Sequence, residues 1–254
     1  MSLLGEGEPG PVELLREAGV GPFLLTADHA GRMIPRALGG LGVAEVERAR
    51  HIGWDIGIAE VTRRLSEALD AAAVLQRYSR LVIDCNRAPR MHGAFVTVSE
   101  ATRVPGNEGL SEADKAVRVA EIFAPYHETI EALIKRRART VYVAMHSFTP
   151  VYLAEARPMH VAVLYNHLPR FSKALAGLLR AEAGLVVGEN APYRLSDDSD
   201  YGVPVHAEAR GLDCVEIEIR QDLIGHEQGQ AEWAARLARL LPAALELCGG
   251  QAGA

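Results

Sequence analysis

Val141-Tyr-Val-Ala-Met-His146-Ser147-Phe-Thr-Pro150 is an apolar run that stops at a histidine, a hydroxyl and a proline. Five apolar or β-favouring residues bounded in this way read as a buried strand, with His146 and Ser147 at its carboxyl end. Ligands of open α/β sheets bind where strands end, so this pair stands where chemistry is expected. The same shape recurs along the chain. Phe23-Leu-Leu-Thr-Ala27 runs into Asp28-His29, Leu81-Val-Ile83 into Asp84-Cys-Asn86-Arg87, and Val161-Ala-Val-Leu-Tyr165 into Asn166-His167, while Leu185-Val-Val187 leads to Glu189-Asn190. Metal ligands and acid/base groups must converge from different elements, and repeated delivery of His, Asp, Asn, Glu and Arg to strand ends supplies them.

The chain of 254 residues has no Ser/Gly-rich or charged linker, and one α/β domain over residues 1–254 is expected. With 48% hydrophobic and 24% charged residues it has apolar material for a sizeable core. No run approaches the roughly 20 apolar residues of a membrane span. The acidic start Met-Ser-Leu-Leu-Gly-Glu-Gly-Glu-Pro lacks the basic and apolar regions of a signal peptide, and a cytoplasmic protein without membrane partners is expected. Three cysteines without CxxC spacing argue against a disulfide framework or a cysteine zinc site. A net charge of -6, with no Walker or GxGxxG pattern, gives no footprint for nucleic acid or nucleotides.

Taken in order, Phe23–Ala27 reads as the first strand, followed by a turn in which His29 is either a ligand or a simple turn residue. Residues 43–70 read as one helix weakened by Gly53 and Gly57. His51 and Asp55, four apart, share a face of that helix, and spacing alone favours an exposed pair over a metal site. Arg80, Asn86 and Arg87 flank Leu81–Ile83, a dense supply of planar donors suited to carboxylates, or equally to structural salt bridges. Residues 91–109 form a turn-rich loop long enough to be functional. Ser111 opens a helix that Pro125 kinks or divides, and His127 beyond it either packs or points into a site. Residues 171–183 and 228–247 read as further helices. Asp197-Asp-Ser-Asp200 reads as a solvated loop, since EF-hand spacing is missing. Cys214 to Asp222 alternates strictly, with Val215, Ile217 and Ile219 on one face and Glu216, Glu218, Arg220 and Asp222 on the other. Such a strand reads as an edge or half-solvated one, or in an enzyme as one whose polar face lines the cleft.

Five blocks, Asp28-His29-Ala-Gly31, Tyr78-Ser-Arg80-Leu-Val-Ile-Asp84-Cys-Asn86-Arg87-Ala-Pro89, His146-Ser-Phe-Thr-Pro150, Glu189-Asn-Ala-Pro-Tyr193 and Glu218-Ile-Arg220-Gln-Asp222-Leu, together resemble the N-formylglutamate amidohydrolase family over nearly the whole chain. That family's likeness to zinc carboxypeptidases and aspartoacylases implies a three-layer α/β/α fold with a central mixed, mostly parallel sheet, and a Zn2+-dependent hydrolase. On this resemblance His29 and His146 are metal ligands. The carboxypeptidase pattern carries a glutamate three residues after its first histidine, whereas Arg32 stands there, so the third ligand comes from elsewhere; the resemblance of the region around Trp54 to one that carries acidic and histidine residues in the family implies Asp55, with His51 in reserve. Glu218 resembles the general base and Arg80 joins it in the catalytic set. Asn86 and Arg87 resemble a carboxylate-binding pair, with Arg220, Ser147 and Asn190 as further substrate-binding candidates. The implied substrate is a small carboxylate-bearing amide, an N-acyl acidic amino acid such as N-formylglutamate. Another amide or cell-wall peptide, and a carboxylate-binding protein without turnover, are the alternatives.

Overall fold

The computed structural model describes residues 2–137 and 140–249. Strands β1 (Val12–Leu15), β2 (Phe23–Ala27), β3 (Ala72–Gln76), β4 (Val141–Phe148), β5 (Val161–Leu164), β6 (Val187–Glu189) and β7 (Cys214–Arg220) form one sheet in the order β1-β3-β2-β4-β7-β5-β6. Strands β3, β2, β4 and β7 pair in parallel, while β1 and the pair β5 and β6 run the opposite way. The carboxyl ends of β2, β4 and β7 therefore open together on one edge, where an α/β sheet places its ligands.

Helices α1 (Ile58–Leu69), α2 (Glu112–Arg118), α3 (Ala124–Arg136), α4 (Arg170–Arg180) and α5 (Glu227–Leu247) cover both faces. Strand alternation decides which core each side chain joins. Phe23 and Leu25, Val141, Val143 and Met145, and Val215, Ile217 and Ile219 pack with α1, α4 and α5. Leu24, Tyr142, Ala144 and Cys214 face the other way, onto α3 and the buried Tyr78 and Leu81. His146, Glu216 and Glu218 share the parity of this second face. At the strand ends, that face changes from a hydrophobic core into a polar cavity. The result is a three-layer α/β/α architecture around a mixed, mostly parallel sheet. No helix among the described residues is long and apolar enough to cross a membrane.

Several local expectations are corrected. Phe23–Ala27 is preceded by β1, a short antiparallel edge strand. Residues 43–70 do not form one helix. A single turn at Glu45–Arg48 gives way to an irregular stretch, and α1 begins only at Ile58. Tertiary contact dictates the break, because Gly57 has φ +83° and a Cβ there would lie 2.1 Å from the Ile224 carbonyl oxygen. Leu81–Ile83 is a buried turn rather than a strand: the Ser79 hydroxyl accepts from the Leu81 N–H, and the Val82 N–H reaches back to the Ser79 carbonyl. Strand β7 is no edge strand. It lies between β4 and β5 and is buried on both faces, so its carboxylates line the cleft. Ser111 does open α2, through a reciprocal capping box with Asp114, and a π turn over Val119–Phe123 separates it from α3 near Pro125.

Candidate metal centre

His29 lies just past β2, in a turn pressed against the end of β3. A Cβ on Gly31 would lie 1.9 Å from the Arg77 carbonyl oxygen, so only glycine allows the loop to run on alongside the segment after β3 through the parallel Met33–Tyr78 bridge. Asp55 comes from the irregular stretch before α1. Its N–H donates to the His29 carbonyl at 2.9 Å, and its Oδ2 accepts from the Ser147 N–H at 3.1 Å, which ties three chain segments together. His146 reaches the same place from β4.

The Nδ1 atoms of His29 and His146 stand 3.6 and 3.2 Å from Asp55 Oδ2, and the three side chains offer donor atoms all within 4.8 Å of one another. Each residue is about 3% exposed. The Nδ1 of His29 is buried without a hydrogen-bond partner, while its Nε2 lies 2.8 Å from Asp84 Oδ1. Two imidazoles and a carboxylate facing one point, with a carboxylate behind one ring, is the donor set and outer support of a three-ligand zinc site, and these residues fit such an ion. His51, the reserve ligand, also lines the cavity around the trio but is not one of its three members, and its Nε2 lies 3.4 Å from Glu100 Oε1.

Charge governs the titration here. Burial alone would lower the pKa of His29, and Arg80 acts in the same sense, but Asp84 and Asp55 outweigh them and hold it above its ordinary value. Burial likewise opposes charge on His146, yet Glu216, Asp55 and Asp28 raise it well above the usual imidazole range. Asp55 is held below the ordinary carboxylate range, against its burial, by the two histidines. Burial pushes Glu216 up to about 7 and Glu218 up to about 8, with His146 opposing the rise in both.

These groups form the floor of a cavity of about 400 Å³, within the roughly 300–1,000 Å³ of small-molecule sites. Arg80 lines it and binds Asp84 Oδ2 through Nε and Nη2 at 3.1 and 2.6 Å, with Nη1 3.7 Å from Asp55. Asn86 and Arg87 also line it. Asn86 Oδ1 accepts from the N–H groups of Tyr201 and Gly202, and its Nδ2 donates to Asp200, so its amide braces the loop behind the cavity. Arg87 lies 3.3 Å from Asp200. Ser147 is at the wall, its hydroxyl donating to the Ile56 carbonyl.

Two expected substrate contacts lie outside this cavity. Arg220 binds Asp222 and the carbonyls of Arg157, Pro158 and Met159, so its guanidinium staples a loop to the end of β7. Asn190, at φ +48°, donates from its N–H to Val163 and accepts from the Tyr165 N–H, a strand-end brace. Tyr152, Tyr193, Arg194 and Asp200 line the cavity although sequence reasoning had given them no role there. Tyr193 closes one of the five blocks that carry the family resemblance, and Asp200 belongs to an acidic loop that reads as solvated; Tyr152 and Arg194 carry no local signal. His127 packs, bonding the Cys85 carbonyl and His206.

Fold and site together define a hydrolase whose strand-end histidines and buried carboxylates meet on an α/β sheet. Residues 21–225 match the model of the N-formylglutamate amidohydrolase family, and the chain belongs to that family, whose members hydrolyse amide C–N bonds. The chain is similar to a gene product of Agrobacterium tumefaciens, with 36% identity, TM-score 0.94, and 97% of this chain and 99% of that one covered. It shares its fold with an N-formylglutamate amidohydrolase from Ralstonia eutropha, at 21% identity and TM-score 0.69 over 95% of this chain and 100% of the other. No curated protein matches the chain.

Proposed function

We propose that this amidohydrolase is zinc-dependent and removes a formyl or similarly small acyl group from an N-acylated acidic amino acid, N-formylglutamate being the leading substrate. The observation that carries the reading is the meeting of His29 Nδ1, Asp55 Oδ2 and His146 Nδ1 at the floor of a cavity that also receives an unpaired carboxylate oxygen of Glu218. Zinc bound by this trio would supply Lewis acidity, bringing the pKa of water toward about 7 and polarising the amide carbonyl.

The chain's own residues do the rest. Glu218 projects from β7 beside His146, its partner in the parallel register. A cation held by the trio would favour the charged form of Glu218 against its burial, and the ionised carboxylate takes a proton from the attacking water and returns it to the leaving amine nitrogen. Arg80, fixed by Asp84 and Asp55, holds a positive charge toward the carbonyl oxygen as that oxygen becomes negative. Arg87 and Arg194, on the cavity wall, hold the carboxylates of the substrate. Ser147 acts indirectly, its N–H fixing Asp55.

Metal analysis of the purified chain, followed by turnover of a panel of N-formyl and N-acetyl derivatives of glutamate, aspartate, glutamine and leucine, tests the reading. About one zinc per chain and fastest turnover of N-formylglutamate are expected. Equal rates on acidic and neutral members would reject the substrate class, and turnover unaffected by chelation would reject the zinc.

A further inference from the structure

The two histidines of the trio are supported unequally. Behind His29 stands Asp84, in hydrogen-bond contact with Nε2. Behind His146 no such contact exists. Its Nε2 is buried without a partner, 3.6 Å from Asp28 Oδ2 and 4.0 Å from Glu216 Oε2, and both of those oxygens are themselves buried and unpaired. Buried polar atoms of native proteins are satisfied almost without exception, so three that converge on one spot point to a shared task.

We infer that Asp28 and Glu216 are positioning residues that accept the Nε2–H of His146 and thereby leave its Nδ1 free for the metal. This rests on the zinc reading above. A proton on His146 Nε2 is the one donor that both carboxylate oxygens can share. If that proton sat on Nδ1 instead, it would be donated to Asp55 Oδ2, 3.2 Å away, and both of these donor atoms would be occupied by each other. Two carboxylates behind the ring draw the proton to Nε2.

Each carboxylate is held for this purpose. Asp28 Oδ1 is taken by the Tyr126 hydroxyl, which leaves Oδ2 directed at His146. A Cβ on Gly202 would lie 2.9 Å from the Tyr142 hydroxyl and 3.5 Å from Asp28 Oδ2, so backbone packs closely over this corner. Asp28 is not among the residues lining the cavity, so its effect does not pass through substrate contact. Glu216 stands on the same face of β7 as Glu218, opposite Ala144, two residues before the pairing of Glu218 with His146. The shared parity of one strand thus brings both glutamates to the His146 imidazole, Glu218 level with it and Glu216 toward its Nε2, and both line the cavity.

Zinc affinity of the full chain by chelator competition, the visible spectrum of the Co2+-substituted protein, and the imidazole N–H signals of the zinc-loaded protein test the inference. Asp28→Asn is expected to weaken zinc binding by roughly 10-fold or more, the usual effect of losing an outer partner. It should also shift the cobalt bands and remove the slowly exchanging Nε2–H signal of His146. Glu216→Gln should act in the same direction but less, and Tyr126→Phe, which keeps Asp28 but frees it, should fall between Asp28→Asn and wild type. If Asp28→Asn does not fold, the other two variants carry the test. Folded variants whose zinc affinity and cobalt spectra equal those of wild type overturn the inference and leave the zinc reading intact. A wild-type chain that binds no zinc overturns both.

Discussion

Two pairs of buried histidines in this protein have ring centroids 5.1 Å apart, His29 with His146 and His127 with His206, and they have opposite chemistry. The first pair meets edge to face among Asp28, Asp55, Asp84 and Glu216, and carboxylates raise the pKa of both rings. The second pair is stacked among Phe123, Tyr126, Tyr142 and Tyr201. There burial pushes His127 down to about 3 and His206 down to about 4, with His206 adding to the fall of His127 and Arg210 to that of His206. Burial and spacing are alike in the two pairs. What separates the pair proposed to bind metal from the packing pair is the charge placed around the rings.

The largest effect expected from breaking this contrast is at the first pair. His29→Ala or His146→Ala should abolish stoichiometric zinc and lower turnover on the order of 10³-fold or more, since a metal ion contributes several kcal/mol to such a transition state. His127→Phe, in the other pair, should leave metal content at the wild-type level. Metal analysis on all three variants decides it, and full zinc in both alanine variants would show that the centre lies elsewhere.

Next in size is Glu218→Gln. The amide is nearly isosteric, so fold and zinc should persist while turnover falls by roughly 10²-fold or more, as expected for a lost general base. Because the Glu218 carboxylate is buried with one oxygen unpaired, neutralising it should leave the melting temperature unchanged or raise it. An active, zinc-loaded Glu218→Gln protein would sink the assignment.

The strand-end histidines and the polar parity of β7 were legible because they follow from periodicity, which is local. Asp55 was not legible from spacing. Its partner at i-4 suggested a helical face, but Gly53 and Gly57 yield to backbone contacts with Arg48 and Ile224, and the chain leaves the helix there. The resemblance alone pointed to it. Asp200 hid in a run of turn formers that reads as solvated, since nothing local announces that Asn86 and Arg87 will reach it from more than a hundred residues away. Arg220 was misread for the converse reason: its parity was right, but it stands at the last residue of β7, where three backbone carbonyls capture it.

A smaller effect is expected at Arg87. Arg87→Ala should raise KM for an acidic substrate about 10-fold, as for loss of a charged positioning contact, with zinc content unchanged. The variant should fold, because Asp200 keeps bonds from Asn86, the Ser196 N–H and the Ser199 hydroxyl. An unchanged ratio of kcat/KM between acidic and neutral N-acyl amino acids would remove Arg87 from substrate recognition.

The smallest effect belongs to the packing pair and concerns stability. His127 Nε2 faces the Cys85 carbonyl at 2.9 Å and must donate to it, so its Nδ1 accepts the Nε2–H of His206 at 2.8 Å, and both rings are neutral. Protonating either one would set two donors against each other or bury an unpaired charge. The unfolded chain has no such restriction and takes up protons at the ordinary imidazole pKa of about 6.5. Between that value and the folded values of about 3 and about 4, the unfolded state therefore binds more protons. Stability contributed by the pair is fully present above about pH 6.5 and is lost as pH falls through this window. From about pH 7 to about pH 6 the loss should be roughly 1 kcal/mol for both rings together. Denaturant unfolding of the wild type and of a His127→Phe, His206→Leu double variant across this range measures it, and the variant should show a flatter acid limb. Equal slopes in the two proteins would mean that the pair is charged in the folded state, and the contrast between the two histidine pairs would then fail at its neutral end.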